Sequence, residues 1–205
     1  MNAVEKAAKS TTPTIGQAYG GGFVTGITRD PETGERHLWI TAGAAHELEG
    51  EWGPRGLKVE GADSFTNSRA NTEAMAAAGS ELAQKVLKLE IGGFTDWSIP
   101  ARDVQELQYR HFKPTTEANY CWNRDGENPN SEPVGLLYIE ESPGQTVHEA
   151  FLASAPEAFQ PTWYWSSSQR SADYAFTMYF GDGSQTSSGK SSVLRVRPVR
   201  SEIIQ

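Results

Sequence analysis

A chain of 205 residues with six Trp, seven Tyr and eight Phe has apolar mass for one core, whereas 20 Gly and 11 Pro favour short strands and turns over a helical bundle. A net charge of −8 argues against a nucleic-acid partner, because phosphate binding depends on clustered Lys and Arg, and the basic cluster here is only Arg195, Arg197 and Arg200. One cysteine, Cys121, excludes an intrachain disulfide and a multi-cysteine zinc site.

Residues 1–18 are polar and contain no apolar run, so they read as an N-terminal arm, either a frayed end or a segment that orders on a neighbouring subunit. No secretion signal or membrane span is expected there. Residues 19–205 then form a single domain. Tyr19-Gly20-Gly21-Gly22-Phe23 lacks the Lys-Ser/Thr of a phosphate loop and reads as a tight turn before a strand. Residues 23–28 and 37–42 flank Asp30-Pro31-Glu32-Thr33-Gly34, which has the turn chemistry of a β-hairpin. Residues 43–65 are loop-like, with at most one short strand at 57–59, and Trp39 and Trp52 are core anchors.

Helix signals follow. Asn71-Thr72-Glu73 opens a helix in which Met75, Ala78, Leu82, Val86 and Leu89 recur at three- and four-residue intervals until Gly92-Gly93 ends it. Pro100 starts a second, with Val104, Leu107 and His111 or Phe112 on one face and a stop at Lys113-Pro114. Thr146 and Glu149 have capping-box spacing for a short third helix through Leu152. Between them, residues 115–144 are a long Asn/Pro/Gly-rich insertion without a period, and loops of that length are often functional. Cys121 within it reads as a small buried apolar residue.

The last third returns to period two: Tyr174, Phe176, Met178 and Phe180 form a core face, Gly181-Asp182-Gly183 a turn, and residues 184–188 the returning strand. Leu194 and Val196 point inward, and Arg195 and Arg197 share a solvated or ion-paired edge face. Runs of strands with two or three helices, not alternating in order, give an α+β fold with irregular antiparallel sheets.

Three stretches carry a family resemblance. Gly92-Gly93-Phe94-Thr95-Asp96-Trp97-Ser98-Ile99-Pro100, Tyr164-Trp165-Ser166-Ser167 and Val196-Arg197-Pro198-Val199-Arg200 resemble the Gly-x-x-Asp-Trp-x-Leu-Pro, Tyr-Trp-Ser-Ser and Val-Arg-x-Val-Arg signatures of the DUF1566 domain. That domain occurs at the C-terminus of Legionella collagen-like adhesins and in many phage and prophage proteins. Ile99 stands where Leu is usual, and Glu106-Leu107 matches the pair in the following helix. Gly21-Gly22-Phe23, residues 71–75, Lys113-Pro114-Thr115-Thr116 and Asn119-Tyr120-Cys121 are similar to the phage-borne members. The similarity spans roughly residues 23 to 200.

The resemblance implies a C-type-lectin-like fold and recognition without catalysis. It places the chain in a phage tail, assembled in the bacterial cytoplasm, with a host-surface glycan or protein receptor and other tail proteins as partners. A homo-oligomer, a trimer above all, fits a symmetric tail. The alternative is a structural virion subunit making only protein contacts. Trp97 and Trp165 are scaffold positions whose indole N–H groups need partners, for which Asp96 or the serines are at hand. Ser166-Ser167-Ser168 lacks a Gly-x-Ser-x-Gly context and reads as strand and loop hydroxyls. The four histidines, His37, His46, His111 and His148, are too dispersed for a transition-metal site. Lectins of this class often hold calcium. Asp125, Glu127, Asn128 and Asn130 offer oxygens, yet the order departs from the lectin pattern, so no cofactor is expected.

The expected binding surface is a rim of loops at residues 169–173, 182–186 and 122–142. Its ligand-facing residues are Tyr164, Gln169, Arg170, Asp173, Tyr174, Tyr179, Asp182, Ser184 and Gln185. Aromatic rings beside amides and carboxylates suit sugars, stacking on C–H faces while oxygens take the hydroxyls.

Overall fold

Asp30 closes the hairpin that founds the first sheet. Its Oδ1 accepts from the backbone N–H groups of Glu32 (2.9 Å) and Thr33 (2.8 Å), turning β2 (Gly22–Arg29) into β3 (Arg36–Thr41). The computed structural model describes residues 12–205 as an α+β fold of two largely antiparallel sheets and three α-helices. The first sheet runs β1 (Ala18–Tyr19), β2, β3, β10 (Val199–Ile204), with a short β5 (Ser131–Glu132) following β1 along the same edge of β2.

The second sheet has the order β4 (Leu48–Glu51), β9 (Val193–Val196), β6 (Trp163–Gln169), β7 (Tyr174–Tyr179), β8 (Gln185–Gly189). β9 and β10 are consecutive in the chain but belong to different sheets, joined through Arg197-Pro198.

Helices cover both faces of the second sheet. α1 (Ser68–Ala77) and α2 (Glu81–Val86) place Met75, Leu82 and Val86 against Trp52, Trp165 and Ala175 on one face. The other face carries an aromatic cluster in which Tyr109 and Phe112 of α3 (Arg102–Phe112) meet Phe159, Tyr164, Met178 and Phe180. The first half of α3 uses Val104 and Leu107 to cover Trp39 on the first sheet. At the far edge, the turn at Gly20–Gly22 crosses the turn after Ile91. A Cβ on Gly92 would stand 2.7 Å from the Gly21 Cα, so this approach requires glycine.

The serine motif has a structural reason. β6 bulges between Trp165 and Gln169, and the serines replace lost strand partners. The Ser168 hydroxyl donates to Ser64 O (2.7 Å) and accepts from Arg102 N (3.0 Å), while Ser167 N donates to Pro100 O (2.8 Å). The bulged strand is thus tied to the start of α3 and to the loop before α1.

Several expectations are corrected. Residues 1–11 of the expected arm lie outside the described residues, but residues 12–18 are not a loose arm: Ile15 packs on the aromatic cluster and Gly16 N–H donates to Val24 O (2.8 Å). The strand in the 43–65 stretch is β4, not 57–59, because β9 offers its edge to residues 48–51. The long helix is two helices, broken where Gly79 takes φ +98° and Ser80 caps α2. The apolar period runs on because both face the same sheet. Asn67 caps α1, while Asn71 and Thr72 sit buried a turn inside.

The third helix is a single 3-10 turn at Glu149–Phe151, since the Thr146 hydroxyl donates to His111 O (2.7 Å) instead of forming a capping box. Cys121 is exposed, and so is Tyr174 at the outer end of β7. Of the two alternatives for Arg195 and Arg197 the ion-paired one holds, since both pair with Glu47 (3.0 and 2.7 Å), but Arg197 is buried and not at an edge. The indoles of Trp97 and Trp165 donate to the carbonyls of Phe94 (3.0 Å) and Gly50 (3.0 Å), not to Asp96 or serine.

Candidate functional site

Antiparallel pairing sets the floor of a mixed aromatic and polar groove on the first sheet. Across the first sheet Thr28 faces His37 and Ser201 faces Trp39, so all four side chains share a face. α3 covers only part of that face, and the remainder forms a groove of about 430 Å³. The Trp39 indole is locked by donating to the Thr28 hydroxyl (2.7 Å), and the His37 ring stacks along it with centroids 6.2 Å apart.

Two walls rise from this floor. Thr66, Asn67 and Arg69 form one at the start of α1, and Asp96 and Ser98 form the other. Arg200, buried, holds Asp96 in place through Nε (2.7 Å) while its guanidinium lies 3.9 Å from the Phe94 ring centroid. Arg69 leans on Glu73 (2.6 Å) and donates to Trp97 O (3.3 Å). At the mouth, Asp30 is held below the usual carboxylate range by the N–H groups of Thr33 and Glu32, so it is an anionic acceptor.

A volume of this size, with a ring floor and a few converging polar groups, suits a small polar ligand. The walls offer carboxylates and hydroxyls to hydroxyl or amino groups, and the His37 ring, backed by the buried Trp39, offers an apolar platform.

The expected rim is not one surface. Successive turns of an antiparallel meander lie at opposite strand ends, so Arg170, Asp173 and Tyr174 are separated from Asp182, Ser184 and Gln185 by the six residues of β7, about 20 Å. At the first end Arg170 donates to the Ser187 hydroxyl (2.9 Å), Asp173 pairs with Arg55 (3.4 Å), and Tyr174 is exposed. At the second, Asp182 Oδ1 accepts from the Ser184 N–H (2.9 Å) and hydroxyl (2.7 Å), closing its own turn. Gln185 Oε1 accepts from Arg102 (3.3 Å), and the Tyr179 ring packs on Trp163 with centroids 5.3 Å apart.

Tyr164 and Gln169 leave the ligand set, because both are buried. The Tyr164 hydroxyl donates to Glu47 (2.8 Å) and accepts from Gln160 N (3.0 Å), and burial raises its pKa. Gln169 Oε1 accepts from Val59 N (2.9 Å) and Lys190 Nζ (3.0 Å) while its amide donates to Asp63 (2.8 Å). In the insertion, the amide of Asn128 donates to Asp103 O (2.8 Å) and Glu106 (2.8 Å), Asn130 donates to Asp103 (2.9 Å), and Glu127 pairs with Arg124. The residues weighed for calcium therefore anchor the loop. Among the described residues no group of three or more His, Cys, Asp or Glu side chains is arranged to hold a metal, and no helix is long and apolar enough to cross a membrane.

The groove residues were missed by sequence reasoning, although Asp96 stood in a recognised motif and the hairpin bearing His37 and Trp39 was predicted. A scan against protein-family models finds no match for this chain, and a search of curated proteins finds no relative.

Proposed function

We propose that this chain is a non-enzymatic recognition module of a bacteriophage tail, a DUF1566-type domain with a C-type-lectin-like fold that binds a host-surface saccharide. The observation that carries the reading is the groove: the half-buried His37 ring, steadied by the buried Trp39 beside it and walled by Asp30, Asp96 and hydroxyls, matches the stacking and acceptor needs of a sugar. The motif residues support it by their role, since Trp97, Trp165 and the serines build a stiff frame and leave binding to its surface. On a symmetric tail, repetition as a trimer multiplies a weak single-site affinity through avidity. Assembly takes place in the host cytoplasm and the working location is the virion.

The experiment is a glycan array probed with the full chain, followed by titration of any hit against His37→Ala, Tyr174→Ala and Arg170→Ala. Loss of a stacking partner predicts about tenfold weaker binding for His37→Ala alone. Weakening by the Tyr174 or Arg170 change instead would move the site to the rim, and no hit on the array or on host cells would reject saccharide recognition. The second reading, a structural virion subunit, is favoured by one observation: large apolar side chains stand exposed on the 115–144 insertion.

A further inference from the structure

Among the described residues, seven of the thirteen exposed large apolar side chains fall in one short segment. They lie between residues 120 and 147, where Trp122 is 67% and Leu136 75% exposed. Val134, Leu136, Leu137 and Ile139 line one shallow trough of about 350 Å³, backed by Leu107 and His111 of α3. A contiguous apolar surface bordered by polar groups marks an interaction site.

The trough is held ready, although its segment has almost no regular structure. Arg110 donates to Gly126 O (2.6 Å) and Leu136 O (2.9 Å), and its charge is matched by Glu106 (2.7 Å). Glu106 also accepts from Tyr138 (2.9 Å) and Asn128 (2.8 Å). A loop pinned in this way loses little freedom when something docks on it.

Charge then selects the occupant. Residues 114–149 contain seven Asp or Glu against a single Lys or Arg, Arg124, which is paired with Glu127, while Glu132 is taken up by Arg29 and Arg36. Next to the trough, across the Ile139–Ser142 turn, lies a hollow bearing Glu117, Glu140 and Glu141. The cation of that hollow, Lys113, is turned inward to Glu117 O, Asn119 (2.8 Å) and Pro143 O (3.3 Å). Two copies of this chain set face to face through this surface would oppose like charges. An anionic membrane is disfavoured for the same reason.

We infer that the trough and its acidic neighbour form one docking face for a segment of a different protein that combines aliphatic or aromatic side chains with Lys or Arg. The apolar side chains enter the trough beside Leu136 and Ile139, and the cations sit over Glu140 and Glu141. The inference stands apart from the saccharide reading, since the groove is built from other residues.

The probes are three fluorescein-labelled peptides of equal length, one of Leu and Lys, one of Leu and Glu, one of Ser and Lys, titrated into the full chain. The Leu/Lys peptide is expected to bind at least tenfold more tightly than either other, and to weaken at least tenfold between 50 and 500 mM salt, roughly the loss expected for a few exposed charge contacts. Leu136→Ser with Ile139→Ser, and separately Glu140→Gln with Glu141→Gln, should each weaken it at least fivefold without shifting the melting temperature. These positions are on the surface, so folding is preserved, and His37→Ala should leave peptide binding unchanged. Equal binding of the Leu/Glu peptide, or indifference to both double variants, would overturn the inference. So would a concentration-dependent dimer in light scattering that Leu136→Ser abolishes, or binding of zwitterionic vesicles through the same residues.

Discussion

Asp125 sits where the insertion turns back on the second sheet, and burial raises its carboxyl to about 6 despite N–H groups from Gln185 and Trp122. Its folded-state affinity for a proton exceeds that of the unfolded chain, whose value is 3.8. The stabilisation it gives is therefore complete below about pH 4 and is lost as pH rises through about 6. Asp125→Asn should raise stability at pH 7.5 by about 2 kcal/mol and make no difference at pH 4, read from urea midpoints across that range. His111 behaves in the opposite sense. Burial lowers it to about 4 while its Nδ1–H donates to Thr25 O (2.6 Å), so its contribution is present above about pH 6.5 and is lost as pH falls through about 4. Single residues were legible in the sequence where hydrophobicity decides, as at Trp39, Trp52 and Met75, all buried as expected. Tyr164 and Gln169 were not, because a tyrosine or glutamine in an alternating strand carries no mark of whether its polar end meets water or a buried partner.

The break between α1 and α2 is a matter of one glycine and one hydroxyl. Ser80 Oγ accepts from Ala83 N (3.3 Å) and donates to Trp52 O (2.7 Å), so it both caps α2 and ties it to the core tryptophan. Ser80→Ala should cost about 1–2 kcal/mol in chemical denaturation, and Ser80→Thr should recover part of it. On the other side, a Cβ on Gly183 would stand 2.5 Å from the Tyr109 ring at φ +79°, so Gly183→Ala should lower the melting temperature by several degrees. The hairpin around Asp30, the helix after Pro100 and the turn at Gly181-Asp182-Gly183 could be read directly, since turn residues and apolar period agreed there. β4 could not, because Leu48-Glu49-Gly50-Glu51 has no strand propensity and pairs only because β9 presents an edge. The expected rim failed for a topological reason: loops at 169–173 and 182–186 are near in sequence but cap opposite ends of β7.

Glu47 joins parts of the chain far apart in sequence. It takes the Tyr164 hydroxyl (2.8 Å), Arg195 (3.0 Å) and the fully buried Arg197 (2.7 Å), whose guanidinium also reaches the carbonyls of Glu157 and Ala158 and lies 4.2 Å from the Phe159 ring centroid. Glu47→Ala leaves that cation without its carboxylate and should cost about 3–5 kcal/mol by urea unfolding, whereas Glu47→Leu with Arg197→Met should cost less than the single change. The groove is likewise a product of the whole molecule, since its walls come from residues 28–39, 66–69, 96–98 and 201, and no single window of sequence contains it. The crossing at Arg197-Pro198 also governs the timing of folding in the cell. β3 waits for β10 as its neighbour, so the first sheet gains its last strand only when residue 204 has left the ribosome, and until then the edge of Leu38 and Ile40 stays open to chaperones or to a nascent neighbour on the same message.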